Sequence, residues 1–161
     1  YSEEAANNEM SGIALTPATS KLKTPNSTNE VFGTIPICFW APMENNLSVC
    51  VDSAQSFISF HEVLDSRVEN RKLKNNIAAD EHGNITDNPN EATQLIPIGD
   101  YKGFGYAMLV DILCGLLTGM NTGNEVTTMY APMNEKRIIG QFFMAIKVEA
   151  LEDVQLFKNR L

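Results

Sequence analysis

Positive charge is scarce in this chain: 12 Lys and Arg face 20 Asp and Glu, for a net charge of -8 and a pI near 4.7. Nucleic acid and anionic membranes demand clustered Lys and Arg, and no basic patch interrupts the sequence, so neither is expected as a partner. Histidine is scarcer still. His61 falls inside a helical pattern and His82 in a turn beside Glu81, so both read as structural residues. No histidine pair stands at helical separation and no Cys-x-x-Cys occurs, which argues against a metal site. Cys38, Cys50 and Cys114 are odd in number and lie in apolar segments, so they read as unpaired thiols of a reducing compartment, the cytoplasm. Gly-x-Gly-x-x-Gly, Gly-x-x-x-x-Gly-Lys-Ser/Thr and Gly-x-Ser-x-Gly are all absent, which withdraws support from a Rossmann site, a Walker loop and a serine nucleophile. The apolar stretch at 104–117 falls short of the roughly 20 residues a bilayer span needs and carries Asp111 near its middle.

What is present centres on Asp100-Tyr-Lys-Gly-Phe-Gly-Tyr-Ala-Met-Leu-Val-Asp-Ile-Leu-Cys-Gly-Leu-Leu-Thr-Gly119. From Phe104 to Leu117 the one charged residue is Asp111, so the segment is expected to form a helix buried on all sides at the centre of the fold. Gly103, Ala107, Asp111, Gly115 and Gly119 recur every four residues, a ridge of small side chains that another backbone can approach. At its start, Lys102 and free amides of Gly103, Phe104 and Gly105 would form an anion-binding helix N-terminus. The alternative is a glycine-softened helix entry with a surface lysine.

Length and 43% hydrophobic content suit one domain over residues 1–161. A helix over 2–10 precedes a strand at Gly12-Ile-Ala-Leu-Thr16, then a long polar loop over 17–33, a candidate wall of a binding site. Strands at 36–42 and 47–51 flank the turn Glu44-Asn45-Asn46. Helical spacing resumes at Phe57, Phe60, Leu64 and Val68, with Asp52 or Ser53 placed to cap that helix. A turn at Asp80-Glu-His-Gly-Asn84, a loop over 88–97 and a long strand over 138–148 complete a layered α/β pattern. Both ends read as cut: a helix is under way at Tyr1, and helical spacing at Leu151, Val154, Phe157 and Leu161 has no terminator. The chain is therefore expected to be an internal piece of a longer protein.

Asp52 is the best acidic candidate. It stands at a strand end directly before a helix, where a carboxylate faces the ligand crevice of an open α/β sheet and accepts hydrogen bonds from ribose hydroxyls. The competing assignment is a helix cap.

The segment Gly99 to Gly119 resembles the signature of the malate/L-lactate dehydrogenase family, which includes ureidoglycolate and sulfolactate dehydrogenases. The likeness extends in family order to Gly12-Ile-Ala-Leu-Thr16, Gly33-Thr-Ile-Pro36, Val51-Asp-Ser-Ala54, Gly83-Asn-Ile-Thr-Asp87, Met129-Tyr130 and Gly140-Gln-Phe-Phe-Met-Ala-Ile146. Block spacing and Gln141 are similar to the ureidoglycolate members. The resemblance implies a three-layer α/β/α nucleotide-binding domain with a mixed, non-Rossmann sheet. It also implies cytoplasmic homodimers that use NAD or NADP to oxidise 2-hydroxy acids or reduce 2-oxo acids. By motif correspondence the cofactor-binding positions are Asp52, Ser53, Ala54, Lys102 and Gly103, with Ala18 where some members use a serine. Ile35 replaces the usual asparagine of Gly-Thr-Asn-Pro, on what the family uses as the substrate side.

The family's proton-accepting histidine lies in a Gly-His-x-Gly motif upstream of the first helix, outside these 161 residues. Hydride transfer from an alcohol requires a group to take the hydroxyl proton, so the chain is expected to hold the cofactor domain without completing the reaction. The runner-up is a degenerate homologue acting as a cofactor-binding or dimerisation module, for which Ala18, Ile35 and the missing base speak.

Overall fold

The computed structural model describes residues 1–129 and 131–161. The chain opens with α1 (Ser2–Asn7), which ends when Glu9 enters the left-handed region (φ 60°) and turns the backbone straight into β1 (Met10–Leu15). β2 (Ile37–Pro42) and β3 (Ser48–Ser53) form a hairpin around Glu44–Asn46, where Asn45 and Asn46 take positive φ that asparagine tolerates. α2 (Phe60–Val68) follows, then the two-residue strands β4 (Ala78–Ala79) and β5 (Gln94–Leu95), the long helix α3 (Tyr101–Cys114), β6 (Phe142–Lys147) and α4 (Val154–Asn159).

β3, β2, β1 and β6 lie side by side in that order. Every neighbouring pair is antiparallel; the parallel contact found among the described residues is the bridge between Leu22 and Leu95, so mixed character is confined to that point. The strand register puts Gly12, Ala14, Cys38 and Phe143 on one face, where α1 lies: Ser2 Oγ donates to the Cys38 carbonyl and Tyr1 packs on Phe143. Ile13, Leu15, Ile37 and Phe142 point to the other face and join Leu22, Ile35, Val63, Leu95, Ala107, Val110 and Cys114 in the core. The result is the expected layering of helix, sheet and helix.

Three local expectations are corrected. β3 runs on through Asp52 and Ser53, so neither caps α2; Ser59 does, accepting from the Glu62 amide at 3.2 Å. The 17–33 segment is not polar loop throughout, because Leu22 at its middle is fully buried and the segment is stitched to Leu95 through Lys23 N and Lys21 O. The C-terminal strand begins at Phe142 rather than 138.

α3 also departs from its all-round burial. Gly103, Ala107, Val110, Asp111 and Cys114 face the core, while Met108, Leu109 and Ile112, with Leu116 and Leu117 just beyond, are exposed. The physical reason is that a single helix on a four-stranded sheet has one layer to lean on, and composition alone does not say which apolar face finds it. The chain exposes 9595 Å², whereas a compact monomer of 17.8 kDa exposes about 8,000 Å².

Candidate functional site

The sequence blocks that stand far apart in the chain are joined here by main chain. Gly33 lies against Ala18, with Ala18 O, C and Cβ where a Cβ on residue 33 would stand, so only glycine fits. One residue on, the Thr34 carbonyl accepts from Gln55 N at 2.6 Å, directly after Asp52, Ser53 and Ala54. The Gln55 carbonyl accepts from Ile98 N at 3.0 Å, and the Ile98 carbonyl accepts from Gly103 N at 2.9 Å. Ala18, the 52–54 stretch and Gly103 thus share one continuous backbone relay.

That relay uses up the amides on which an anion site at α3 would depend. Gly99 and Asp100 both take positive φ (64° and 54°), curling the chain so that three carbonyls turn onto the helix start. Lys102 N donates to Gly99 O at 3.1 Å, Gly103 N to Ile98 O, and Phe104 N to Asp100 O at 3.2 Å. The expected set of free amides is therefore corrected: the helix N-terminus is closed by its own turn. Lys102 remains exposed, its stem lying over Gly99, and among the described residues its ammonium makes no hydrogen bond or ion pair.

Asp52 is exposed at the end of β3, opposite Cys38 in the register. With α2 capped by Ser59, its carboxylate has no capping role and makes no hydrogen bond or ion pair among the described residues. It lines a cavity of about 310 Å³ together with Tyr1, Cys38 and Pro36. Ser53 donates its hydroxyl to the Ala54 carbonyl at 3.1 Å, which fixes the turn out of β3. Ala18 borders a second cavity of about 310 Å³, and Thr16 and Pro36 line both. Lys102 lines neither of these two cavities.

Ile35 does not enter either cavity. Its side chain is fully buried in the core, and its backbone takes φ 33°, a strained setting for a β-branched residue. Ile35 is therefore a packing residue beneath these cavities rather than part of their walls. His61 is the residue that sequence reasoning undervalued: it sits in α2 as expected, but lines the Ala18 cavity. Its signal was three-dimensional, since only the fold carries α2 to the 16–21 segment. His82 is exposed beside Glu81, 3.7 Å away, as expected of a turn residue. Tyr130 of the Met129-Tyr130 block lies outside the described residues.

No group of three or more His, Cys, Asp or Glu among the described residues is placed to hold a metal. No helix among them is long and apolar enough to cross a membrane. The three cysteines are unpaired, with Cys50 exposed, Cys38 half-buried and Cys114 buried. Burial pushes the Cys114 thiol above its ordinary pKa, so it is a packing residue and no nucleophile.

A layered, non-Rossmann α/β unit whose cavities are built by these blocks matches one known class over its whole length. The chain belongs to the malate/L-lactate dehydrogenase family, which it matches over residues 1–161. It is 28% identical over 161 residues to the ureidoglycolate dehydrogenase (NAD(+)) of Escherichia coli, covering 100% of this chain and 46% of that protein. It is 29% identical over 163 residues to the malate/(S)-sulfolactate dehydrogenase of Methanothermus fervidus, covering 100% of this chain and 48% of that protein. The solved sulfolactate dehydrogenase from Methanocaldococcus jannaschii superposes with a TM-score of 0.88 at 27% identity, over 99% of this chain and 46% of that one. The chain therefore spans about half the length of the curated relatives it matches.

Proposed function

We propose that this chain is the nucleotide-binding part of an NAD(P)-dependent dehydrogenase acting on the CH-OH group of a 2-hydroxy acid of the malate, lactate, ureidoglycolate or sulfolactate type. The observation that carries the reading is the unspent Asp52 carboxylate, held at a strand end by a relay that also fixes Ala18 and Gly103. The fit to a nicotinamide dinucleotide is chemical. Among the described residues Asp52 is an acceptor with nothing to accept from, suited to ribose hydroxyls, and Lys102 is a donor with nothing to donate to, suited to a carbonyl or phosphate oxygen. Ser53, Ala54 and Gly103 position these two through backbone, and Ala18 offers a flat wall.

When bound, the nicotinamide ring supplies the hydride acceptor or donor of the reaction. The chain's own residues orient it. The proton acceptor is assigned to the family's Gly-His-x-Gly histidine, outside these residues, so the chain by itself binds cofactor and does not turn over. A cytoplasmic homodimer is proposed for the complete enzyme, supported by the exposed apolar face of α3.

The test is NADH and NADPH titration by fluorescence with the parent, Lys102→Ala and Asp52→Asn, each with its melting temperature. Loss of one charge-assisted contact raises the dissociation constant roughly tenfold to hundredfold. Unchanged affinity for both nucleotides in variants that melt like the parent would remove the assignment. The reading as a non-catalytic module is separated by joining the chain to a segment bearing Gly-His-x-Gly: restored oxidation of a 2-hydroxy acid rules the module out.

A further inference from the structure

The end of β3 presents a carboxylate in surroundings that are neutral or acidic. Tyr1, Thr16, Cys38 and Gln141 are the other polar side chains of the Asp52 cavity, and none of the 12 Lys and Arg residues lines it. Neither histidine does, and Lys102 stands outside it. β3 is the outermost of the four strands, so among the described residues no further strand brings a cation to its open side. Across the register Asp52 faces the neutral Cys38, and two residues back on its own strand stands Cys50. α1 adds a second acid. Ser2 Oγ donates to the Cys38 carbonyl at 3.4 Å, which brings Glu3 to the same end of the sheet. Desolvation, then Cys38, Asp52 and Glu3 in that order, raise the Cys50 thiol above its ordinary pKa, so both carboxylates stand within electrostatic reach of one side chain.

The two nicotinamide dinucleotides differ in one group, a phosphate on the 2′-oxygen of the adenosine ribose. A free 2′-hydroxyl is a donor that a carboxylate accepts. A 2′-phosphate replaces that donor with acceptor oxygens and adds about two negative charges. Against Asp52 and Glu3 it is repelled, and no cationic side chain of the cavity offsets the repulsion. We infer that Asp52, reinforced by Glu3, is the specificity-determining residue of the nucleotide site and selects NAD(H) over NADP(H). The inference rests on the dehydrogenase reading and narrows it from two cofactors to one.

Tyr1 borders the cavity, so the 161-residue chain is titrated with its N-terminus acetylated, which leaves no ammonium there. Binding of NADH and of NADPH is followed by fluorescence for the parent, Asp52→Asn, Glu3→Gln and Glu135→Gln. The last is a charge-matched change at an exposed residue outside the cavity, and melting temperatures check that every variant folds. The parent is expected to bind NADH roughly tenfold to hundredfold more tightly than NADPH. Asp52→Asn keeps an acceptor and removes the charge, so it should weaken NADH, strengthen NADPH and bring their ratio to within about threefold of unity. Glu3→Gln should shift the ratio the same way by less, and Glu135→Gln should leave it within about twofold of the parent's. Added salt should lower the ratio in the parent more than in Asp52→Asn, because it screens the repulsion; an aspartate with a merely structural role would not give that response. Equal or tighter binding of NADPH by the parent, or a ratio that Asp52→Asn does not move, overturns the inference and leaves the dehydrogenase reading standing. Binding of neither nucleotide by the folded parent overturns the dehydrogenase reading itself, and the inference with it.

Discussion

Both carboxylate oxygens of Asp111 accept from one backbone amide, that of Gly123, at 3.2 and 3.1 Å, and the aspartate is only 5% exposed. This tie holds the middle of α3 to the 121–126 segment. Burial raises the Asp111 pKa above its ordinary 3.8, and the single amide bond lowers it by less. A carboxyl whose folded pKa is raised contributes stability that is full below 3.8 and lost as pH rises through its folded value. Asp111→Asn keeps an acceptor for Gly123 and cannot ionise. The melting temperature of Asp111→Asn relative to the parent should therefore climb as pH goes from about 4 to about 7. Asp80 and Asp87, whose pKa values are lowered by their own hydrogen bonds, titrate alike in both proteins and cancel. A pH-independent difference would mean that Asp111 is not charged at the cost inferred.

Two glycines on the same helix should respond to alanine with opposite sign. A Cβ on Gly103 would stand 2.5 Å from Ile98 O, 2.9 Å from Ile98 N and 3.2 Å from Gln55 O, all main-chain atoms that cannot swing aside. A Cβ on Gly105 would meet nothing within 4 Å. Gly105→Ala gains the helix-propensity difference, about 1 kcal/mol, whereas Gly103→Ala loses roughly 1 to 3 kcal/mol to overpacking. Thermal or urea unfolding of the two variants distinguishes them directly, and stabilisation by both would contradict the backbone relay.

Thiol reactivity should be graded. Native protein is expected to give one fast reaction with a disulfide reagent, at exposed Cys50, and a slower one at half-buried Cys38. Cys114 should react only after unfolding, for a total of three. Fewer than three thiols in unfolded, unreduced protein would show a bridge that the structure lacks.

At Ile35 two effects oppose. Asparagine tolerates φ 33° better than a β-branched residue, a relief of about 1 to 3 kcal/mol, but it would replace a fully buried apolar side chain, which costs roughly 2 to 5 kcal/mol. Burial of the amide without a partner adds to the cost. Ile35→Asn is therefore expected to lower the melting temperature, although it installs the residue that the family resemblance implies here. An increase would show that strain dominates at this position.

The helices, the hairpin and its turn were legible because their signals are local: period, turn residues and strand alternation all sit within a few residues of what they specify. Which residue caps α2 was not, since Asp52, Ser53 and Ser59 are all good caps and the length of β3 decides among them. The burial of α3 misled for the opposite reason. Its composition is uniform, so no pattern marks the face that meets the core. Family blocks named Asp52, Lys102 and Ala18, yet nothing in sequence said that the amides after Lys102 would be consumed by Ile98, Gly99 and Asp100. The meeting of Lys21, His61 and Arg137 at the Ala18 cavity depends on contacts across more than 100 positions, beyond any window of local reading.

The relay from Gly33 through Thr34, Gln55 and Ile98 to Gly103 is made almost wholly of peptide groups, which every amino acid carries. Apart from its glycines, the scaffold is therefore written in a part of the chain that substitution does not touch. Asp52, Ala54 and Lys102 are pendant from it and can be exchanged without shifting the frame, whereas Ser53 also fixes the turn out of β3. Changes of nucleotide preference at those positions should behave as modular edits, adding with little coupling to one another in stability while each acts separately on affinity.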